Sequence, residues 1–352
     1  MISMSSTIAE CIDEILACHN WSQADLADVL GWGQQALSEI MQGKRRIDAS
    51  QSLALATVSD HSPEDWLALQ TKADIAEAMR SVKTLAELAE IRKRADLEEI
   101  APVRQLIAQK IIPRTKNAAE REKAVTELLA DGYVPGTAAK KTDGQPEFNR
   151  IQNAWLAIAA RRARQMQVAE FDAGKFAMLA QSLPRMVKNV QDIGQVQAWF
   201  AAAGVPLIYV PPLPGGKIDG VSFSLETHPA IAITGRGKRF DKIFYTILHE
   251  ASHIVNGHWL EAVNLRENEE CYGGTTKREQ EADQLATFWL YPNGIQPPRP
   301  LTKQAITQLA ANNDVAKDMV IGHLQHIQAL PWRTIFAKEI GMLSEEELKA
   351  WA

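Results

Sequence analysis

The stretch "TILHEASHIVNGH", Thr246 to His258, sets two histidines four residues apart with a glutamate directly after the first. An α-helix turns about 100° per residue, so His249 and His253 project from one face a single turn apart. "KIFYTIL" before the motif and "IV" after it leave the helix apolar on most of its sides. Such a helix belongs inside a core, where two histidines and a glutamate are costly unless each finds a partner. Any fold of this chain must therefore bring polar groups or a metal ion to that helix. The two imidazoles can bind one Zn²⁺ together. Glu250, about 100° round the helix, can reach a water in the open coordination position and take its proton.

A catalytic zinc needs a third protein ligand. A metzincin would have its third histidine at position 259, which is Trp259; His258 falls one residue short and reads as a surface histidine. The later segment "REQEADQLATFWL" offers Glu279, Glu281 and Asp283. With Glu281 at the origin of a helical wheel, Leu285, Trp289, Ala282, Ala286 and Phe288 fall within an arc from about −20° to about 140°. Glu281 lies inside that arc, Glu279 at its edge and Asp283 outside it. A carboxylate aimed into a core needs a partner, so Glu281 is the expected third ligand. Tyr245, His258 and Tyr272 are open candidates for stabilising an oxyanion.

The rest of the chain supplies the frame. Its 352 residues suffice for two or three domains with real cores. Residues 1–71 read as a compact helical unit, with Ser22 as an N-cap, Asp25 three residues on, and a Gly31-Trp32-Gly33 break. Residues 72–165 read as a helical connecting region, with "GYVPGTAAKKTDGQPEF" as a loop or linker. Strand signals come later, in "VPLIYVPPLP", "GVSFSLE" and "PAIAIT", ahead of the motif helix from about Phe240 to Asn256. "HWLEAVNLRENEECYGGTTK" reads as a mobile, partly acidic loop, and a helix follows from Arg278 to Leu290. The expected fold class is α+β and mainly helical, with a domain over residues 166–295 and C-terminal helices over 296–352. No apolar run approaches the roughly 20 residues of a membrane span, and the start of the chain lacks a signal-peptide pattern. Cys11, Cys18 and Cys271 form no C-x-x-C pair and read as buried thiols in a reducing cytoplasm.

"ILHEASHIVNGH" followed by "EQEADQLATFWLYP" resembles the ImmA/IrrE family of metallopeptidases, over about residues 165–335. The resemblance implies a zincin-like Zn²⁺ peptidase with His249, His253 and Glu281 as ligands and Glu250 as base. It also implies a protein substrate, a repressor or antitoxin-like regulator cleaved in a stress response. Residues 7–70 resemble the Xre/Cro-type helix-turn-helix in its HigA-like variety, at "SQADLADVLG", "ALSEIMQGKR" and "SPEDWLALQ". That implies a five-helix domain whose recognition helix, Gln34 to Gln42, enters a major groove of double-stranded DNA. Gln34, Gln35 and Ser38 then face bases, with Gln23, Lys44, Arg45 and Arg46 on phosphates.

Charge bears on that last expectation. Residues 1–70 hold ten acidic and three basic side chains, a net −7 against −5 for the whole chain. Affinity for DNA rests largely on neutralised phosphates, and a homodimer would double the small basic footprint. The alternative is a HigA-like transcriptional regulator or antitoxin in which the zinc fold is structural or a sensor.

Overall fold

The computed structural model describes residues 7–131, 138–141, 148–260, 271–272 and 275–352. The chain divides into two compact units, Met1–Arg94 and Ala95–Ala352.

The first unit holds α1 (Ile8–His19), α2 (Gln23–Leu30), α3 (Gln34–Met41), α4 (Ala49–Thr57) and α5 (Pro63–Arg80), and α6 (Val82–Ile100) crosses the boundary. The starts follow from local chemistry. Ser22 Oγ accepts from the Asp25 amide at 3.2 Å while Asp25 Oδ2 accepts from the Ser22 amide at 2.8 Å, the reciprocal cap expected at that position. Gly31 takes φ 67°, the left-handed turn that lets α2 and α3 cross. Ile12, Leu26, Leu37, Leu55 and Trp66 meet in one core. Five helices were expected within residues 1–71, but α5 carries on to Arg80.

The second unit begins with α7 (Val103–Ala108), α8 (Ala118–Asp131), β1 (Ala138–Lys141) and α9 (Arg150–Gln165). Then come α10 (Ala173–Met186), α11 (Val190–Ile193), α12 (Val196–Ala202), β2 (Leu207–Tyr209), β3 (Ile218–Ser224) and β4 (Pro229–Ile233). α13 (Phe240–Val255) carries the histidine motif, and the two-residue strands β5 (Cys271–Tyr272) and β6 (Thr275–Thr276) precede α14 (Lys277–Leu290). α15 (Lys303–Asn313), α16 (Lys317–His326) and α17 (Glu345–Lys349) complete it.

The main sheet runs β1-β3-β4-β2; β2 is parallel to β4, and the other two pairings are antiparallel. Side chains alternate across a strand, and here both faces are buried. Leu207, Tyr209, Ile231 and Ile233 pack with α13 on one face. Ile208, Val210, Ala230 and Ala232 pack with Trp155 and the rest of α9 on the other. α13 is thus buried between the sheet and α16, α10 and α14.

Four expectations change. Residues 95–165 are no separate connector, because Leu97, Leu106, Val125 and α9 share one core with the sheet. Nor are residues 296–352 separate, since Ile306, Val320, Leu348 and Trp351 sit in the core of α13. "AAKK" read as loop forms β1, an edge strand whose register comes from its partner β3 rather than from its own weak strand propensity. Cys11 is buried as expected, but Cys18 is exposed. Most of the acidic loop before α14 lies outside the described residues. Among the described residues, no helix is long and apolar enough to cross a membrane.

Gly220 of β3 lies directly beneath α13. A Cβ there would stand 2.5 Å from Thr246 Cγ2 and 3.1 Å from Glu250 Cγ. Threonine is stiff at χ1, so relief must come from backbone shifts. Gly220→Ala is expected to destabilise the unit by about 1–3 kcal/mol, read as a lower urea midpoint at unchanged slope. An unaltered midpoint would mean that sheet and helix separate freely.

Candidate functional site

Residues 249, 250, 252 and 253 of α13 are all fully buried polar side chains. Ser252 sets the approach of the neighbouring helix: its hydroxyl lies 2.6 Å from the His249 carbonyl and 2.9 Å from the Ala282 carbonyl of α14. A larger residue there would hold the helices apart.

That approach delivers a carboxylate to the histidine pair. Glu279 Oε2 lies 3.2 Å from His249 Nε2, Glu279 Oε1 lies 3.3 Å from His253 Nε2, and the two Nε2 atoms are 3.1 Å apart. Glu279 is half-buried against the two imidazoles. Burial pushes His253 below the ordinary histidine value.

The group beside the histidines is therefore Glu279, not the expected Glu281. The helical wheel failed because it counted Phe288 as inward, whereas Phe288 is 53% exposed. The buried residues of α14 are Ala282, Ala286, Trp289 and Leu290. Glu279 lies about 40° from the middle of that face and Glu281 about 120° from it. Glu281 turns instead to His258, 3.2 Å away, and to Lys277. His258 is not a surface residue either: it is 5% exposed, and its Nδ1 is 2.8 Å from His253 Nδ1.

Asp283, which fell outside the expected arc, also has a place. Its Oδ1 lies 2.8 Å from His249 Nδ1 and accepts from the Tyr245 hydroxyl at 3.1 Å. Asp283 is the nearer of the two carboxylates on this ring, 2.8 Å against 3.2 Å for Glu279, so a neutral His249 keeps its one proton on Nδ1 and leaves the Nε2 lone pair for a metal. Tyr245 is thereby committed to Asp283, and burial raises its phenol beyond the ordinary range. The Tyr272 side chain lies outside the described residues.

Can these residues hold zinc? Two imidazole nitrogens and a carboxylate form a suitable donor set, and ligands about 2 Å from a tetrahedral zinc stand about 3.3 Å apart. The observed spacings are of that size, and no more than one hydrogen can lie between two facing Nε2 atoms. The residues fit a single zinc held by His249, His253 and Glu279.

In the first unit, Gln34 and Gln35 are exposed on α3, opposite buried Leu37 and Ile40. Ser38 is half-buried and accepts from Gln42 at 3.1 Å, while Gln35 donates to Glu39 at 2.9 Å. Gln23, Lys44, Arg45 and Arg46 are exposed, and Arg46 pairs with Asp74 at 3.1 Å. Hydrogen bonds from Ser22 lower the Asp25 carboxyl, so a negative charge persists at the start of α2.

A helix-turn-helix family model matches residues 17–67, the span from the end of α1 into α5. No curated protein and no solved structure matches the chain. The matched domain type is that of DNA-binding transcription regulators.

Two outcomes follow from this geometry. Purified protein should hold about one zinc per chain, consistent with one three-ligand site. Glu279→Ala should abolish stoichiometric zinc by elemental analysis; full retention would remove Glu279 from the donor set. On duplex DNA, Arg45→Ala should weaken binding and lower the salt slope by about 1. Arg46→Ala should do less, because Arg46 is shared with Asp74. Salt titration of both variants on DNA upstream of the gene decides; unchanged slopes would mean that neither side chain meets phosphate.

Proposed function

We propose that this chain is a DNA-binding transcription regulator whose second unit is a single-zinc metallopeptidase of the ImmA/IrrE type. Its substrate is a repressor or antitoxin-like protein in the cytoplasm. The helix-turn-helix match supports the regulatory half. The observation that carries the enzymatic half is one buried helical turn: His249 and His253 converge on Glu279, and Glu250 sits between them in sequence, fully buried.

His249, His253 and Glu279 would hold the metal, and Asp283 orients His249. Zinc, when bound, supplies Lewis acidity that acidifies water and polarises a carbonyl. Glu250 is the base: its carboxylate takes the proton from the attacking water, holds it, and returns it to the leaving amine as the peptide bond breaks. Glu250 lies close over Gly220, whose missing Cβ would stand 3.1 Å from Glu250 Cγ.

A second reading keeps the same metal in a structural or sensing role. What favours it is that the family match falls on the regulatory domain. The base separates the two. Glu250→Gln is nearly isosteric and removes no ligand, so fold, zinc content and DNA binding should persist. Cleavage of the natural partner should fall about 10²–10⁴-fold. The partner is found by comparing the proteomes of wild-type and Glu250→Gln strains under stress. A variant indistinguishable from wild type in both proteome and stress survival would leave the regulator with a non-catalytic metal.

A further inference from the structure

Behind the donor set runs a chain of polar groups to which the proposed chemistry assigns no part. Gly257 at φ 77° turns the backbone sharply after α13, and a 3₁₀ turn, His258–Leu260, brings His258 back against His253. His258 Nδ1 is 2.8 Å from His253 Nδ1, and His258 Nε2 is 3.2 Å from Glu281 Oε2.

The direction of these bonds follows from what each group can offer. The Glu281 carboxylate accepts, so the proton of His258 sits on Nε2. A neutral imidazole carries a single N–H, so His258 Nδ1 is an acceptor. The hydrogen between the two Nδ1 atoms therefore belongs to His253. With its proton on Nδ1, His253 presents a lone pair at Nε2, 3.1 Å from His249 Nε2 and 3.3 Å from Glu279. The opposite tautomer would put a hydrogen where the donor set requires a lone pair.

We propose that Glu281 and His258 act in series as a positioning relay that fixes the tautomer and ring orientation of His253. The proposal rests on the metal-centre reading above. Each histidine of the pair then has its own carboxylate from α14: Asp283 reaches His249 directly, while Glu281 reaches His253 through His258. The residue expected as a ligand thus acts one shell further out.

The test uses the full chain with two readouts: imidazole ¹⁵N shifts of the metal-free protein, and zinc affinity by chelator competition. Wild type should show His253 protonated on Nδ1. His258→Ala should let the Nε2–H tautomer appear and raise the zinc Kd about 10–100-fold, the usual cost of losing such a partner. Glu281→Ala should shift both readouts the same way by a smaller amount. His258→Asn places an amide oxygen near the lost Nδ1, can accept from His253, and should recover most of the affinity. That rescue separates positioning from a general loss of packing, including the case in which the alanine variant folds poorly. Wild-type His253 protonated on Nε2, a zinc Kd for His258→Ala within twofold of wild type, or failure of asparagine to rescue would each overturn the relay. Should wild type bind no zinc while His253 keeps its Nδ1 proton and loses it in His258→Ala, the metal-centre reading fails and the relay stands.

Discussion

The meeting of His249, His253 and Glu279 depends on how closely α14 lies against α13, and Ser252 governs that approach. Its hydroxyl is shared between the carbonyls of His249 and Ala282. Small residues on both sides, Ser252 and Ala282, let the two backbones meet around one side-chain oxygen. From that fixed distance α14 places Glu279 on the Nε2 side of the histidines and Asp283 on the Nδ1 side of His249. The geometry around the histidine pair is thus a consequence of helix packing.

The sheet provides the opposing wall. Because both its faces are covered, α13 cannot tilt away without disturbing the Leu207, Ile231 and Ile233 side of the core. Gly220 removes the one side chain that would separate β3 from Thr246 and Glu250. Burial then makes every polar group on the turn demand a partner, since an unpaired polar group in a dry interior costs about 1–3 kcal/mol or more. Asp283 meets that demand for His249, and His258 backed by Glu281 meets it for His253.

The helix-turn-helix unit works under the opposite constraint, an excess of negative charge at its surface. Three of its expected DNA-facing groups have intramolecular partners, Gln35 on Glu39, Ser38 with Gln42 and Arg46 on Asp74. Lys44 and Arg45 are exposed in the turn after α3, and among the described residues no partner is seen for either. A regulator so composed would gain little affinity from phosphates on one copy. Its hold on DNA would rest more on α3 base contacts and on duplication of the footprint.

Much of this was legible in the sequence where the information is local. The Ser22 cap, the Gly31 turn, the three strands and the helix from Phe240 all appear where capping chemistry and periodicity put them. The pairing of His249 with His253 was legible too, because one helical turn fixes it. What only the tertiary structure decided is which residues of different elements meet. β1 exists because β3 offers it an edge, and α9 belongs with the sheet because their apolar faces match. Glu279 replaces Glu281 because the buried side of α14 is set by its neighbours. A helical wheel reports which residues share a face; it carries no record of which face another element will cover. That is decided by packing against residues far away in the chain, and in α14 it puts Glu279 beside the histidine pair and Glu281 beside His258.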